Sequence, residues 1–355
     1  MRQRALSRPP TLLGSYQGVV CDLDGVVYRG ADAVPSAISS LNDSIGSGRR
    51  VVFATNNASR EPGVVAEHLR SLGLGPDGWS VATSAQAAAQ HLRGELAAGT
   101  SVVAVGGPGV TAALIEFGLE PVTVGSRGAA KAAALVQGLG SEVSWTDLAT
   151  ASVLVREGMR WVVTNRDMVV PSDRGSLPGN GALVDVVRTA SGTDPHFVAG
   201  KPGPALFELS RAVLGTGRRD TLVCGDRLDT DVAGAHAAGL DSLLVLSGVT
   251  SLRDVALAAP LLRPTYVAAD LRALLAPALR PMEYRSGLCV MSARGIPEPP
   301  RDLEPDEQLA AAVGLAWWIV DAGGQLCPDP EPWQDLEDQL GVGRVSSRHV
   351  VSEAG

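Results

Sequence analysis

The chain has 355 residues, more than one ordinary hydrophobic core accommodates, so two or three domains are expected. Apolar residues make up 45% and the formal charge is −8, a balance that fits a well-buried globular protein and argues against nucleic acid or an anionic membrane as the main partner. Cys21, Cys224, Cys289 and Cys327 show no CxxC spacing and read as reduced thiols of a cytoplasmic protein, and no apolar run approaches the length of a membrane helix.

Residues 1–14, opening MRQRALSRPP, are basic with no apolar stretch behind them, so they read as a flexible leader rather than a signal peptide. The strand VVCDL then runs into Asp22 and Asp24, which alternation places on one face, with Gly25 free to turn or to approach a ligand closely. Like charges about 4 Å apart cost ~4 kcal/mol at an effective dielectric near 20, and a divalent cation is the simplest compensation. A pair of solvated turn acids is the plain alternative. The strand VVFAT follows and ends in Thr55, Asn56 and Asn57, donors that suit phosphate oxygens and equally suit a helix cap.

Helical patterns PGVVAEHLRSLG and SAQAAAQHLRGELA come next, then the strand SVVAV and the turn GPGVTA. That turn matches a dinucleotide fingerprint, but the next run, Pro121–Val124, closes on Gly125 with no acid, so a plain strand–helix turn is expected. Strands ALVQG and WVVT precede Lys201, which stands between Gly200 and Pro202 before another helix as a fixed point charge. The strand TLVCG delivers Asp226, an oxygen ligand for a hard cation, and Asp231 follows where a helix begins. SLLVL is the last strand of this rhythm. Apolar strands alternating with helices indicate α/β layers with parallel sheets, whose ligands bind at the carboxyl ends of strands. His91 and His236 sit in Ala-rich helical segments and read as packed or surface residues. From about Pro281 the chain changes: two Pro- and acid-rich stretches flank AAAVGLAWWIVDA, and Trp317, Trp318 and Trp333 cluster there as a small appended domain.

DxDG, Thr after a strand, Lys, and GDxxxxD, in this order, resemble the haloacid dehalogenase (HAD) superfamily of phosphohydrolases. TNNASR, VQGLGSEVSWTDLA, VVTNRD and LPGNGALV resemble its NagD-type members, and the likeness spans roughly residues 15–275. It implies a Rossmann-like core from 15–82 and 195–279, a large α/β (C2) cap from 83–194, and, as in bacterial glycerol-3-phosphate phosphatases, a small acetyltransferase-like (GNAT-like) α+β extension from 281–355. That extension has no Q/RxxGxG/A pyrophosphate loop, so a structural, regulatory or homo-oligomer contact is expected of it rather than acyl transfer.

By the same resemblance Asp22 is the nucleophile and Asp24 the general acid and base. Mg²⁺ is held by Asp22, the Asp24 carbonyl and Asp226. Thr55 and Asn56, with Asn57 beside them, bind the phosphoryl group, Lys201 neutralises it, and Asp231 supports from behind. Asn165 and Asp167, after WVVT, are placed to read substrate hydroxyls. Asp at position 24 fits an alkoxide leaving group that needs a proton. The implied partner is a small phosphorylated metabolite, with glycerol 3-phosphate first and phosphoglycolate, pyridoxal phosphate, nucleotides or sugar phosphates as alternatives. A ligand-sensing module on the same scaffold, or phosphotransfer to an acceptor other than water, is the rival reading.

Overall fold

The computed structural model describes residues 11–172, 175–284 and 289–342. In chain order, β1 (Gly18–Cys21), the short ladder β2 (Tyr28–Arg29) with β3 (Asp32–Ala33), α1 (Ala37–Gly46), β4 (Arg50–Thr55), α2 (Pro62–Ser71) and β5 (Trp79–Thr83) begin the first layer. The helix α3 (Ser84–Arg93) leads into β6 (Ser101–Val105), α4 (Pro108–Glu116), β7 (Glu120–Thr123), β8 (Ala134–Gln137), α5 (Trp145–Arg156), β9 (Arg160–Val163), the hairpin β10 (Val169–Ser172) and β11 (Gly175–Pro178), α6 (Asn180–Ser191) and β12 (Phe197–Val198). The chain returns through α7 (Ala205–Leu214), β13 (Thr221–Gly225), α8 (Ala233–Ala238), β14 (Asp241–Val245), α9 (Leu252–Ala256) and β15 (Tyr266–Ala268). The tail carries β16 (Val290–Met291), β17 (Pro297–Glu298), α10 (Pro305–Asp321) and α11 (Pro330–Leu340).

Two parallel sheets result, in the orders β15-β14-β13-β1-β4-β5 and β12-β9-β8-β6-β7. In the first, β1 lies between β4 and β13, with Cys21 opposite both Phe53 and Cys224. Asp22, Thr55 and Asp226 therefore emerge side by side at the carboxyl edge. Alternation sorts the strand residues cleanly. Val19, Cys21, Val51 and Phe53 pack with Leu12, Tyr16, Leu41 and Leu69 on one face. Val20, Val52 and Val223 pack on the other with Leu206 and Phe207, in a cluster that continues through the alanines of α3 into Val102, Leu114 and Val136 of the second sheet's layer.

Several boundaries differ from the sequence reading. The ladder of β12 with β9 keeps Phe197 and Val198, near the head of the expected core segment 195–279, in the second sheet. Of the expected leader, residues 1–10 lie outside the described residues; from Thr11 on the chain is packed, with Leu12 and Leu13 each 2% exposed and the Leu12 N–H donated to the Ala276 carbonyl at 2.7 Å. The turn at GPGVTA joins β6 to α4, and a Cβ on Gly109 would sit 2.4 Å from the Arg60 carbonyl. Those glycines let the start of α4 press onto the core loop 58–60. His91 is stacked on Phe197 at 3.6 Å, a packed residue.

Among the described residues the tail forms no core separate from that of the main body. Leu309, Val313, Ala316 and Trp317 of α10, with Trp333, Leu336 and Leu340 of α11, share one cluster with Leu244, Leu252, Val255 and Val267. The physical reason is the apolar face that Leu244 of β14 and Val267 of β15 present, which the apolar side of α10 covers. Among the described residues the tail holds two helices and one two-residue ladder. Trp317 is fully buried, donates Nε1–H to the Val255 carbonyl at 2.8 Å and lies under the Arg263 guanidinium. Trp317→Ala is expected to lower unfolding stability by about 3–5 kcal/mol in urea titration, as deletion of a buried aromatic does; a loss below about 1 kcal/mol would contradict a shared core.

Candidate active site

Four strand ends meet under the second sheet. Asp22 follows β1 and is fixed by its own N–H, donated to the Cys224 carbonyl at 2.8 Å. Lys201, only 4% exposed, arrives on the crossing from β12 to α7. Its ammonium donates to Asp22 Oδ1 and, at 2.7 Å, to Asp231 Oδ1. Burial pulls the Lys201 pKa down, but Asp22 and Asp231 outweigh it and hold the ammonium well above an ordinary lysine, so it stays charged. Asp231 also accepts the Arg227 N–H at 3.2 Å through Oδ2, and a Cβ on Gly225 would collide with it at 2.2 Å.

Asp226 is 1% exposed. Its Oδ2 takes the Val249 N–H at 2.7 Å, while its buried Oδ1 meets no donor. The carboxylate is clasped by two glycines: a Cβ on Gly25, whose φ is +83°, would lie 2.3 Å from Oδ2, and one on Gly248 would lie 1.9 Å away. Only glycine tolerates both the left-handed turn and that approach. Burial, then Asp231, pushes the Asp226 carboxyl up to about 7, and burial likewise pushes Asp22 up against the opposing Lys201. Carboxylate oxygens of Asp22, Asp226 and Asp231 lie within 4.8 Å of one another. Three acids face one ammonium, and one buried oxygen is unsatisfied. An all-oxygen set of this kind fits a hard divalent cation.

Above this floor lies a cavity of about 710 Å³, lined from the core by Asp24, Thr55, Arg29 and Arg227 and from the second sheet's layer by Leu139, Asp167 and Val170 among others. Asp24 stands at its open side, yet the surrounding walls desolvate it enough to raise its carboxyl above the ordinary range, against Lys201, Arg60 and His68. Thr55, at the end of β4, accepts the Asn57 N–H at 3.0 Å, which leaves its hydroxyl hydrogen for a ligand.

Three amides expected at the site line the cavity and also bond to the protein around it. Asn56 brackets the Lys201 backbone, accepting its N–H at 2.8 Å and donating to its carbonyl at 3.1 Å, and donates also to Asp167 at 3.1 Å. Its carboxamide holds protein groups while the residue itself lines the cavity. Asn57 Oδ1 accepts the Ser59 N–H at 3.0 Å, the turn-capping alternative. Asn165, 4% exposed, donates to the Asn56 carbonyl at 2.7 Å and accepts the Asp167 N–H at 3.1 Å, tying the second layer to the core. Asp167 faces the cavity, its carboxyl raised by burial and held down in part by Asn56. Arg29, Arg227 and the Gly248–Val249 loop were missed as cavity residues. Arg227 stood inside the GDR triplet; no spacing pointed to Gly248.

Known proteins match this architecture. A haloacid dehalogenase-like hydrolase model matches residues 19–120, and a HAD-hydrolase-like model matches 198–274. The D-glycerol 3-phosphate phosphatase of Mycobacterium tuberculosis is 42% identical over 337 residues, 94% of this chain and 85% of its own length. The 5'-nucleotidase YutF of Bacillus subtilis is 35% identical over 236 residues, 66% of this chain and 89% of its own. A crystal structure of the M. tuberculosis glycerol phosphate phosphatase in complex with magnesium superposes with a TM-score of 0.80 at 37% identity, covering 93% of this chain and 99% of that one. The chain belongs to the haloacid dehalogenase-like hydrolases.

The raised Asp226 carboxyl has a measurable consequence. With a folded pKa near 7 and an ordinary one unfolded, the metal-free fold binds the extra proton between about pH 4 and 7, so this group's contribution to stability falls as pH rises through that window. Asp226→Asn is expected to raise the metal-free melting temperature relative to wild type, more at pH 8 than at pH 5, and to abolish stabilisation by Mg²⁺. Calorimetry of both proteins at the two pH values checks this; equal Mg²⁺ stabilisation of the variant would remove Asp226 from the metal site.

Proposed function

We propose that this protein is a Mg²⁺-dependent phosphatase of small phosphomonoesters that works through a phosphoryl group carried on Asp22, with glycerol 3-phosphate as its first substrate. The observation that carries the reading is the Asp22 carboxylate held against the buried Lys201 ammonium at the floor of a covered cavity. Asp22 and Asp226, with the Asp24 carbonyl, would hold the ion, and Asp231 stays with Lys201 behind them. The bound ion supplies charge neutralisation, letting a phosphate dianion approach a carboxylate.

An oxygen of Asp22 forms a bond to phosphorus as the bond from phosphorus to the alkoxide breaks. Asp24, which lines the cavity and whose carboxyl burial raises above the ordinary range, protonates the leaving oxygen. In the second half Asp24 takes a proton from the water that attacks phosphorus, and Asp22 is released. Thr55 donates its hydroxyl to the phosphoryl group, and Lys201 offsets the charge that gathers there. Asp167 accepts a hydrogen bond from a substrate hydroxyl, which suits a polyol ester. Asn56, Asn57 and Asn165 position this machinery. The intact set of acids and Lys201 weighs against a sensing module without turnover.

Residues 15–82 and the return from Ala199 to about 279 are assigned to the core, and the second sheet with its helices to the cap. The acetyltransferase-like tail, whose last residues from 343 lie outside the described residues, serves as a buttress of the core. No helix among the described residues is long and apolar enough to cross a membrane. All four cysteines stand as free thiols, which supports a cytoplasmic setting.

Asp22→Asn is expected to keep the circular dichroism spectrum and lose at least ~10³-fold in turnover, as loss of a nucleophile does. Phosphate release from glycerol 3-phosphate, phosphoglycolate, pyridoxal phosphate, nucleoside monophosphates and sugar phosphates, with and without Mg²⁺, ranks the substrates. Near-normal turnover in the variant would refute the mechanism, and preference for a nucleotide would replace the substrate.

A further inference from the structure

The tail reaches the metal-side carboxylate through the backbone, by residues that no motif marks. Beyond the Val249 N–H on Asp226 Oδ2, the Thr250 N–H is donated to the Asp226 carbonyl at 3.2 Å, and the Ser247 hydroxyl to the Gly25 carbonyl at 2.8 Å. With Gly248 packed against the same carboxylate, the segment 247–250 decides where that carboxylate sits. The segment runs directly into α9. Ser251 and Asp254 cap this short helix from within, through a reciprocal box. The next backbone donor, the Leu252 N–H, is taken from outside: Glu337 Oε1 of α11 accepts it at 2.6 Å. The far end of α9 is held by the Trp317 indole on the Val255 carbonyl.

Glu337 is 5% exposed, in a cluster otherwise built of Trp333, Leu336 and Leu340. Burying a carboxylate is costly, and an apolar residue would serve packing alone better. One of its carboxylate oxygens is placed on the first turn of α9, where it accepts the Leu252 N–H. We propose that Glu337 is a positioning residue for the metal: through Leu252 it sets the 247–250 loop, and the loop sets the direction in which Asp226 presents its unsatisfied Oδ1. The inference rests on Asp226 as a Mg²⁺ ligand and extends that reading to the tail, which thereby becomes part of the metal site's support.

The test uses the full chain as wild type, Glu337→Gln, which keeps an accepting oxygen, and the apolar replacements Glu337→Met and Glu337→Ala. Mg²⁺ binding is measured by titration calorimetry without substrate, at a temperature where circular dichroism shows each protein folded, and KM is measured at saturating Mg²⁺. The apolar variants are expected to bind Mg²⁺ about three- to tenfold more weakly, less than the ~10–100-fold lost when a direct partner of a metal ligand is removed. Glu337→Gln is expected to bind as wild type, and KM to stay unchanged in all. Equal Mg²⁺ affinity across the series, whatever the change in melting temperature, overturns the proposal. So does failure of both apolar variants to fold, which would make Glu337 a folding residue. Absence of Mg²⁺ binding by wild type overturns the underlying metal reading instead.

Discussion

The contact on which the site depends is the Lys201 ammonium wedged between Asp22 and Asp231. All three groups lie largely out of water, where an unpaired charge is expensive and a well-bonded one is tolerable. The ammonium lets the acid at the end of β1 sit beside one from the helical turn that follows β13, and it fixes the face that Asp22 turns to the cavity. Lys201 is delivered by the chain as it leaves the second sheet, and Asn56 grips its backbone on both sides. The geometry of the reacting carboxylate is thus tied to the crossing between the two layers. A shift of that crossing would move the ammonium and, with it, the charge balance of the floor.

Around this contact the molecule divides its tasks by element. Strand ends of the six-stranded sheet supply the acids, the hydroxyl and the carboxylate left unsatisfied for a cation. The second sheet supplies a roof and one cavity-facing acid, Asp167, joined to the core by the Asn56–Asn165 pairing. That joint is polar and runs through side-chain amides, while a continuous apolar cluster through α3 holds the layers together beneath it.

The tail extends the same logic from the opposite side. Its helices cover the face of the sheet that carries Leu244 and Val267, and they clamp α9. The apolar run AAAVGLAWWIVDA reads in isolation as material for a separate small core. It joins the main core because β14, β15 and α9 leave an apolar face that α10 and α11 cover, and that face is a property of the sheet's layering.

The sequence by itself determined the parallel α/β layers, the strand ends that carry Asp22, Thr55 and Asp226, and the order that links them to Lys201 and Asp231. These follow from short apolar runs broken by acids and glycine, a pattern local enough to read residue by residue. Only the tertiary structure decided that Asn56 and Asn165 hold backbone groups across the two layers, that Gly248 clasps Asp226, that Leu12 and Leu13 are packed, and that Glu337 reaches α9. Each of those depends on which group arrives from tens to hundreds of residues away, and a polar side chain chooses between water, ligand and protein only when its neighbours are in place.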